Sequence, residues 1–324
     1  MRYYKLTLTN SAGQSNVFTS YPNGLSALPD PGALNIEFDI PVGPQGVPTA
    51  DGGASVTLEG VALKTLFQSQ QYAGYTMTLQ AGMGPGLPLA KPAQIGTILT
   101  GTVFQSFGNW TGTEMTLDFV VVGSPYTVDA PGNFSVNWPA GTPLGIGVQS
   151  TLLQAFPNAK VNVAVNASCV LNYAQTGVYP TLRSFATFVQ GLTSGLVSSS
   201  YPGISIVYQN GQFSVFDTTV AAKNVALAFE DFVGQPTWIL PNTVQVALVM
   251  RGDINIADTV TFPVGLQSQP GIASTQSTSL SGTQKYQSSF QGTFIVTTIR
   301  AIGNLRSTSG LDWIAILNCV QNGG

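Results

Sequence analysis

The stretch that decides the fold covers residues 74–122 and reads GYTMTLQAGMGPGLPLAKPAQIGTILTGTVFQSFGNWTGTEMTLDFVVV. Apolar residues alternate with polar ones in short runs, and clusters of glycine and proline separate the runs. This alternation is typical of consecutive antiparallel strands that turn one face to a core, so it predicts a β meander. Residues 82–88, GMGPGLP, are too rich in glycine and proline for a regular helix or strand and predict a shaped loop.

Upstream of the meander, the sequence predicts three more strands and one short helical turn. Residues 4–9 and 34–40 alternate between apolar and polar side chains, residues 55–60 do the same, and residues 62–67 have the spacing of a helical turn. Together with the meander this makes six or seven strands over residues 1–123. We expect them to form a small closed or nearly closed β-barrel, because pairing removes exposed sheet edges.

The pattern changes after residue 123, where residues 124–125 and 131–132 carry proline and mark a boundary. Helices are predicted at residues 145–156 and 181–192, with a strand at 161–165 between them. A hairpin of residues 204–208 and 213–216 follows. The hairpin turn contains Asn-Gly, the strongest short-range hairpin signal. We therefore expect a small α+β module over residues 124–235, whose periodic aromatic residues form its core. These are Phe185, Phe188, Phe213 and Phe216.

Beyond a second boundary at residues 234–236, the chain returns to β patterns. Strands are predicted at residues 244–250 and 259–263, with a turn and a short strand at 251–258 between them, and a hairpin joins residues 292–306 to 311–320. These predict a second barrel over residues 236–324. The fold class is thus mainly β, with two barrels flanking an α+β module.

Residues 265–291 interrupt the second barrel and are nearly free of apolar side chains. Such a stretch is a flexible insertion or a projecting arm. We expect a hairpin arm that projects from the second barrel and becomes ordered against a neighbouring ring. Tyr286 and Phe290 are its only aromatic residues and hence its expected anchors, since aromatic anchors dominate interface energies.

Composition narrows the function. Of 324 residues 44% are apolar but only 8% are charged, with 11 basic and 14 acidic side chains, whereas ordinary globular chains carry about 25% charged residues. This balance excludes the basic stripe that nucleic-acid binding requires. No apolar run approaches the roughly 20 residues of a membrane-spanning helix, although alternation alone leaves transmembrane strands open. Residues 1–9 lack the apolar core of a signal peptide, so we expect synthesis in a cytoplasm without secretion by that route.

The chain contains no histidine, which excludes Ser-His-Asp and Cys-His triads and histidine metal sites. Carboxylate pairs remain as an enzyme option, and a glycosidase acid and base would be Glu59 with Asp118 or Glu230 with Asp231. Adjacent carboxylates more often end a segment on a solvated face, which is what we expect of the second pair.

Other short motifs have simpler explanations than binding. Asp51-Gly52-Gly53 and Asp253-Ile254-Asn255 lack the carboxylate density of a calcium loop. Arg251-Gly252-Asp253 spells an integrin tripeptide, which a turn at a strand end explains. Cys169 and Cys319 fall in different predicted domains, so we expect two small buried hydrophobes and no disulfide. We predict no catalytic residue, cofactor or metal.

Two stretches, at opposite ends of the chain, resemble the tail-hub (baseplate hub) proteins of contractile-tailed bacteriophages. The first runs through the "AGM" corner at 81–83, "IGTILTGTVFQ" at 95–105, "GNW" at 108–110 and "TEMTLDFVV" at 113–121. The second follows the order Arg-x-Asp-Ile at 251–254, Gly-x-Phe-x-Val at 292–296, and Asp-Trp at 312–313. The resemblance implies two tail-tube-like barrels around an inserted module.

The resemblance also implies a structural virion role in the tail baseplate. Such a protein forms a ring, a homotrimer, in which two barrels per chain match a sixfold tail tube to a threefold spike. Its partners are then tail-tube and spike proteins, with tape-measure and baseplate wedge proteins nearby and DNA only in transit; no membrane is involved. The rivals are a carbohydrate-binding β-rich receptor module, with Trp110, Trp138 or Trp238 as sugar-stacking surfaces, and a glycosidase.

Overall fold

The computed structural model describes residues 1–44, 54–85, 91–123, 133–220, 222–263, 290 and 292–321. The strands of these residues are β1 Arg2–Thr9, β2 Ser15–Thr19, β3 Asn35–Val42, β4 Ala54–Glu59, β5 Thr76–Met83, β6 Gly96–Thr111, β7 Glu114–Val122, β8 Phe134–Trp138, β9 Lys160–Ala164, β10 Gln175–Tyr179, β11 Ser205–Gln209, β12 Gln212–Phe216, β13 Asn224–Ala226, β14 Thr237–Leu240, β15 Thr243–Val249, β16 Thr259–Thr261, β17 Thr293–Asn304 and β18 Trp313–Gln321. The helices are α1 Leu63–Phe67, α2 Leu144–Ala155 and α3 Leu182–Thr193, with 3₁₀ turns at Ser69–Tyr72, Pro92–Gln94, Phe229–Asp231 and Gly310–Asp312. The predicted mainly β class with an α+β insertion is confirmed.

Three groups of elements make up the chain. We call β1–β7 with α1 the first β unit, β8–β12 with α2 and α3 the middle module, and β13–β18 the second β unit. A single sheet runs through both β units in the order β14-β15-β18-β17-β3-β4-β7-β6-β5-β1-β2. The crossing lies at β17, whose residues 299–304 pair with residues 37–42 of β3. The division into domains 1–123, 124–235 and 236–324 stays a prediction.

The predicted meander is confirmed as β5, β6 and β7, which pair antiparallel in sequence order. Alternate residues of these strands point inward and are buried, whereas the threonines between them face outward. Strands β1, β3 and β4 add their own inward rows, so burial follows the period of two that the sequence shows. Trp313 from β18 also enters this core, where its ring meets Phe38 edge to face at a centroid distance of 5.4 Å.

The predicted loop at residues 82–88 begins later than expected. Gly82 and Met83 belong to β5 and pair with Tyr3 and Arg2 of β1. Glycine is required at position 82 because a Cβ there would lie 2.7 Å from the side chain of Ile95. The strand continues because it pairs with β1, and Trp313 Nε1, from distant sequence, also donates to Gly82 O at 2.9 Å. Residues 86–88 of the predicted loop lie outside the described residues.

The middle module matches the predicted helices, strand and hairpin. Helix α3 begins at a capping box in which the side chains of Thr181 and Ser184 each bond the other's backbone N–H. Asn210 and Gly211 have φ angles of 51° and 81°, as the type I′ turn between β11 and β12 requires. Phe185 and Phe213 are buried in the module's core as expected, and Phe188 packs against it half-buried. The expectation is wrong for Phe216, which is buried in the apolar core of the second β unit. Within the described residues, no helix combines the length and apolar character needed to cross a bilayer.

The second β unit has a separate apolar core, and Phe290 belongs to it. Phe290 is 2% exposed and stacks on Trp238 at a centroid distance of 5.7 Å. The prediction that Phe290 anchors an arm on a neighbouring ring of the assembly is therefore wrong, because the aromatic side chain of Phe290 is already buried within its own chain. The rest of the predicted arm, including Tyr286, lies outside the described residues. Cys169 and Cys319 are free and buried in different cores, as predicted.

Gly303 sets the contact between β17 and β3, and it provides a test of this packing. A Cβ at position 303 would lie 2.2 Å from Phe38 Cζ, so Gly303→Ala must displace the Phe38 ring. We expect a loss of about 1–3 kcal/mol in the free energy of unfolding. The matched control is Gly191→Ala in α3, where no atom lies within 4 Å of the added Cβ. That change should stabilise by about 0.5–1 kcal/mol, and urea denaturation measures both.

Candidate functional site at the junction of the β units

The loop at residues 251–258 connects β15 to β16 and has a shape fixed by its own side chains. The short strand predicted within it is absent. Instead, Asn255 N donates to Asp258 Oδ2 at 2.8 Å, and Ile254 and Ile256 are buried in the second core. Ala257 adopts a φ of 74°, in the left-handed region that non-glycine residues seldom enter. The loop departs from strand geometry because these contacts bend it.

Arg251 begins this loop with its side chain only 3% exposed. Its Nε and Nη2 atoms donate to the two carboxylate oxygens of Asp253, each at 2.8 Å. Its Nη1 atom donates to Asp231 Oδ2 at 3.2 Å. A buried guanidinium is tolerated only when its donors are paired in this way. Within the tripeptide at residues 251–253, Arg251 is thus buried and paired with Asp253, whose side chain is 22% exposed, and the arginine is not presented to solvent.

Asp231 extends the ion pair to the first β unit. Its Oδ1 atom accepts from Gln94 Nε2 at 2.9 Å, and its Oδ2 atom accepts from Ala228 N at 2.9 Å. Burial alone would raise the pKa of Asp231, but these hydrogen bonds and the charges of Arg251 and Lys91 outweigh it and lower the pKa. The carboxylate is therefore held in its charged form.

The prediction that Glu230 and Asp231 both lie on a solvated face is wrong for Asp231. The two side chains are 46% and 2% exposed, respectively. The 3₁₀ turn Phe229–Asp231 directs neighbouring side chains to different sides, so Glu230 reaches Lys91 Nζ at the surface at 3.2 Å. Asp231 turns inward because Arg251 and Gln94 offer it donors there.

The backbones of the two β units touch beside the ion pair. Gly252 N donates to Gln94 O at 2.9 Å. A Cβ added to Gly96 would lie 2.1 Å from Gly252 O, and one added to Gly252 would lie 2.5 Å from Gly96 C. Both positions therefore require glycine, since any side chain would push the two chain segments apart.

The hairpin turn of the middle module reaches the same place. Asn210 Nδ2 donates to Thr97 O at 2.7 Å, a contact with the first β unit. Gln209 Oε1 accepts from Ile256 N at 3.0 Å, a contact with the second β unit. All three parts of the chain thus meet at one set of polar contacts, which we call the junction. It comprises residues 91–97, 209–210, 228–231 and 251–258.

The carboxylates of the other predicted pair, Glu59 and Asp118, lie on one face of neighbouring strands, and each accepts a hydrogen bond from another side chain. Glu59 accepts from Asn35 Nδ2 at 2.9 Å and Asp118 accepts from Thr57 Oγ1 at 2.7 Å, on neighbouring strands. Asp253 is occupied by Arg251, and residues 51–53 lie outside the described residues. Among the residues that the structure describes, no group of three or more His, Cys, Asp or Glu side chains is placed to hold a metal.

Of the three tryptophans proposed for sugar stacking, only one is well exposed. Trp110 is 59% exposed, near the end of β6. Trp138 is 3% exposed in the core of the middle module, and its Nε1 atom donates to Thr151 Oγ1 at 3.1 Å. Trp238 is half-buried against Phe290. A stacking role for Trp138 is therefore wrong, because its ring faces no solvent.

The sequence reasoning missed Gln94, Gly96 and Asn210 as parts of the junction. Gln94 and Gly96 follow a proline-rich stretch and resemble ordinary loop residues, and Asn210 is fully explained by its turn. The sequence does indicate that Arg251 is buried, because Arg251 directly follows VQVALVM at residues 244–250, a pattern that predicts a core strand. An arginine in such surroundings indicates a buried ion pair.

Comparisons with known proteins found structural resemblance only. No family model and no curated protein matches the sequence. The prophage MuSo2 43 kDa tail protein from Shewanella oneidensis has a TM-score of 0.49 and 10% identity, over 99% of this chain and 97% of that one. A tail protein from Neisseria meningitidis MC58 has a TM-score of 0.45 and 10% identity, over 99% and 97%.

A third structure is the E. coli c3393 protein, described as a component of the type VI secretion system with structural similarity to the T4 bacteriophage tail proteins gp27 and gp5. Its TM-score is 0.49 at 8% identity, over 90% of this chain and 73% of that one. Because all three TM-scores lie below 0.5, the function proposed below stands on this chain's own sequence and contacts.

Asp231 and Glu230 form a matched pair for testing the junction. The pKa of Asp231 is below its ordinary 3.8, so its charge stabilises the fold at higher pH and this contribution is lost as the pH falls through the folded pKa. Asp231→Asn should cost about 3 kcal/mol at pH 7. The difference from wild type should shrink on acidification.

The control is Glu230→Gln, which removes the exposed member of the same cluster and should lower the unfolding midpoint far less than Asp231→Asn at neutral pH, because water solvates this carboxylate. Urea denaturation between neutral and acidic pH measures both variants. A deficit for Asp231→Asn that stays constant down to acidic pH contradicts the role of its charge.

Proposed function

We propose that this chain is a structural subunit of a phage-type tail, built into the baseplate hub as a ring, and that the ring is a homotrimer. The observation that carries the proposal is the continuous sheet through β17 and β3, which joins two β units in each chain. Two units per chain and three chains make six similar positions, which matches a sixfold tube to a threefold spike. The resemblance of residues 81–121 and 251–313 to tail-hub proteins supports the same role.

The surface of the chain supports assembly through neutral contacts. Several large apolar side chains are exposed on the first β unit, including Phe104 at 45%, Phe107 at 47% and Trp110 at 59% along β6. Exposed aromatic residues of this kind mark protein contacts more often than solvated surface. With only 8% charged residues, subunits can bury such faces with little cost of ion desolvation. We infer that β6 belongs to a contact between subunits.

Passage of DNA through the ring is supported by the polar face of β3, β4 and β7. This face carries Glu37, Asp39, Glu59 and Asp118, all at least partly exposed. Carboxylates repel phosphate, so DNA passing such a surface is not held. In this role the protein belongs to the virion, with tube and spike proteins as partners and tape-measure and wedge proteins as neighbours.

The rivals keep less support. A carbohydrate-binding module depends on Trp110, the one candidate with a largely exposed ring. A glycosidase based on Glu230 and Asp231 conflicts with the burial of Asp231 against Arg251, because that carboxylate faces no open cleft. Glycan-array binding that disappears with Trp110→Ala would favour the carbohydrate-binding alternative.

Oligomerisation tests the proposed ring directly. Mass photometry and sedimentation velocity should show a trimer that forms with increasing protein concentration. Replacing Phe107 and Trp110 together by serine should weaken self-association by tenfold or more, since each removes a large apolar contact.

The control for this experiment is Leu28→Ser, which changes a side chain that is 87% exposed in the loop between β2 and β3. It should leave self-association unchanged. A wild-type chain that stays monomeric at high concentration, and also in the presence of tube and spike proteins, contradicts the proposed role.

A further inference from the structure

The junction contains the ion network Asp231–Arg251–Asp253, and we infer that this network specifies the relative position of the two β units without being a net source of stability. This inference concerns the chain's own conformation and holds whether or not the proposed ring forms. It assigns Arg251 the role of a positioning residue. The network's geometry, its burial and its location each support this assignment.

Energetically, a buried ion network is a poor stabiliser. Arg251 and Asp231 are 3% and 2% exposed, so both have lost nearly all of their hydration. Attraction in the interior repays this loss only in part, and replacement of such a network by uncharged residues of similar size is often neutral or stabilising. Removal of one partner alone is costly, because the remaining charge is stranded. The net contribution of the network to the free energy of unfolding is therefore small, even though removing one of its members costs several kcal/mol.

The geometry of the network restricts the positions that the first β unit can take relative to the second. The guanidinium of Arg251 offers a rigid planar fork, and both arms of Asp253 fit it at 2.8 Å. Its third donor reaches Asp231, which in turn holds Gln94 of the first β unit. A shift of the first β unit relative to residues 251–253 breaks the Gln94 contact. It also separates the touching backbones of Gly96 and Gly252.

A directional contact between the two β units is useful because the β17–β3 ladder restrains their relative twist only in part. Backbone pairing joins the units over only six residue pairs, Ile299↔Val42 to Asn304↔Glu37. A sheet can twist about such a ladder, because strand twist varies widely between neighbours. Apolar contacts do not restrain this motion well, since they are non-directional. The charged network lies away from the ladder and adds a directional contact to those that Arg2 and Trp313 already make between the two β units.

The chain offers a matched control for the network. Arg300 on β17 forms the same forked pair with Asp39 on β3, with Nε to Oδ1 at 2.8 Å. Here the side chains are 55% and 42% exposed, so water can replace the lost partners. This pair has the chemistry of the junction without its burial.

The test compares a neutralised network with a neutralised control. The network variant is Asp231→Asn with Arg251→Met and Asp253→Asn, and the control is Arg300→Met with Asp39→Asn. In the network variant, the Gln94 amide can rotate so that its Oε1 atom, which has no protein partner, accepts from the introduced amide. All three charges of the network therefore disappear together, so none of its members is left as an unpaired charge.

Two measurements are made on each protein. Spin labels on Ser11→Cys and Asn242→Cys, in exposed turns next to β2 and β14, report the distance between opposite ends of the continuous sheet by pulsed electron resonance. The native cysteines stay unlabelled because both are buried. Labelled chain is mixed with excess unlabelled chain, so that only distances within one chain are seen. Thermal unfolding gives the midpoint.

We expect the network variant to unfold within about 4 °C of wild type, while its distance distribution becomes about twofold broader or splits into two. The control should match wild type in both measurements. A network variant with a wild-type distance distribution overturns the inference. A midpoint lowered by more than about 10 °C also overturns it, because the network would then be holding the fold together. The proposed ring is judged separately, by the oligomeric state of the wild-type chain.

Discussion

The pairing of β17 with β3 is the interaction on which the rest of the structure depends. Strand β17 is 12 residues long, and its two halves serve different units: Thr293–Ile295 pair with β16, and residues 299–304 pair with β3. The hairpin partner β18 then carries Trp313 into the first core, where it bonds Gly82 O. The core of the first β unit is therefore completed by residues almost 200 positions later in the chain.

Charge is used sparingly, and its placement follows from the cost of burial. Most outward positions of the large sheet are filled by neutral side chains such as the threonines of β5, which hydrogen-bond to water without ion desolvation when another surface covers them. A few charges are concentrated at the junction, where Arg251 lies between Asp231 and Asp253. The outward positions of the sheet are thus mostly neutral side chains, whereas the contact at the junction is made by charged ones.

Local patterns predicted most of the individual elements. The meander at residues 74–122, helix α3 after its capping box and the Asn210-Gly211 turn were all predictable, because each depends on contacts within a few positions along the chain. Predictions failed where a distant partner decides the outcome. Asp231 is buried because Arg251 and Gln94 donate hydrogen bonds to it. Phe290 is buried because it stacks on Trp238. Strand β5 extends through Met83 because it pairs with β1.

By itself, then, the sequence determined a mainly β chain with an α+β insertion, a charge-poor surface and the exclusion of histidine chemistry, since alternation, turn residues and composition are local properties. The tertiary structure alone decided that both β units share one sheet and that residues from three parts of the chain meet at the junction. Gly96 and Gly252 show the physical reason. Each is an unremarked glycine in the sequence, and only the approach of their two backbones, 156 positions apart in numbering, makes a side chain impossible at either.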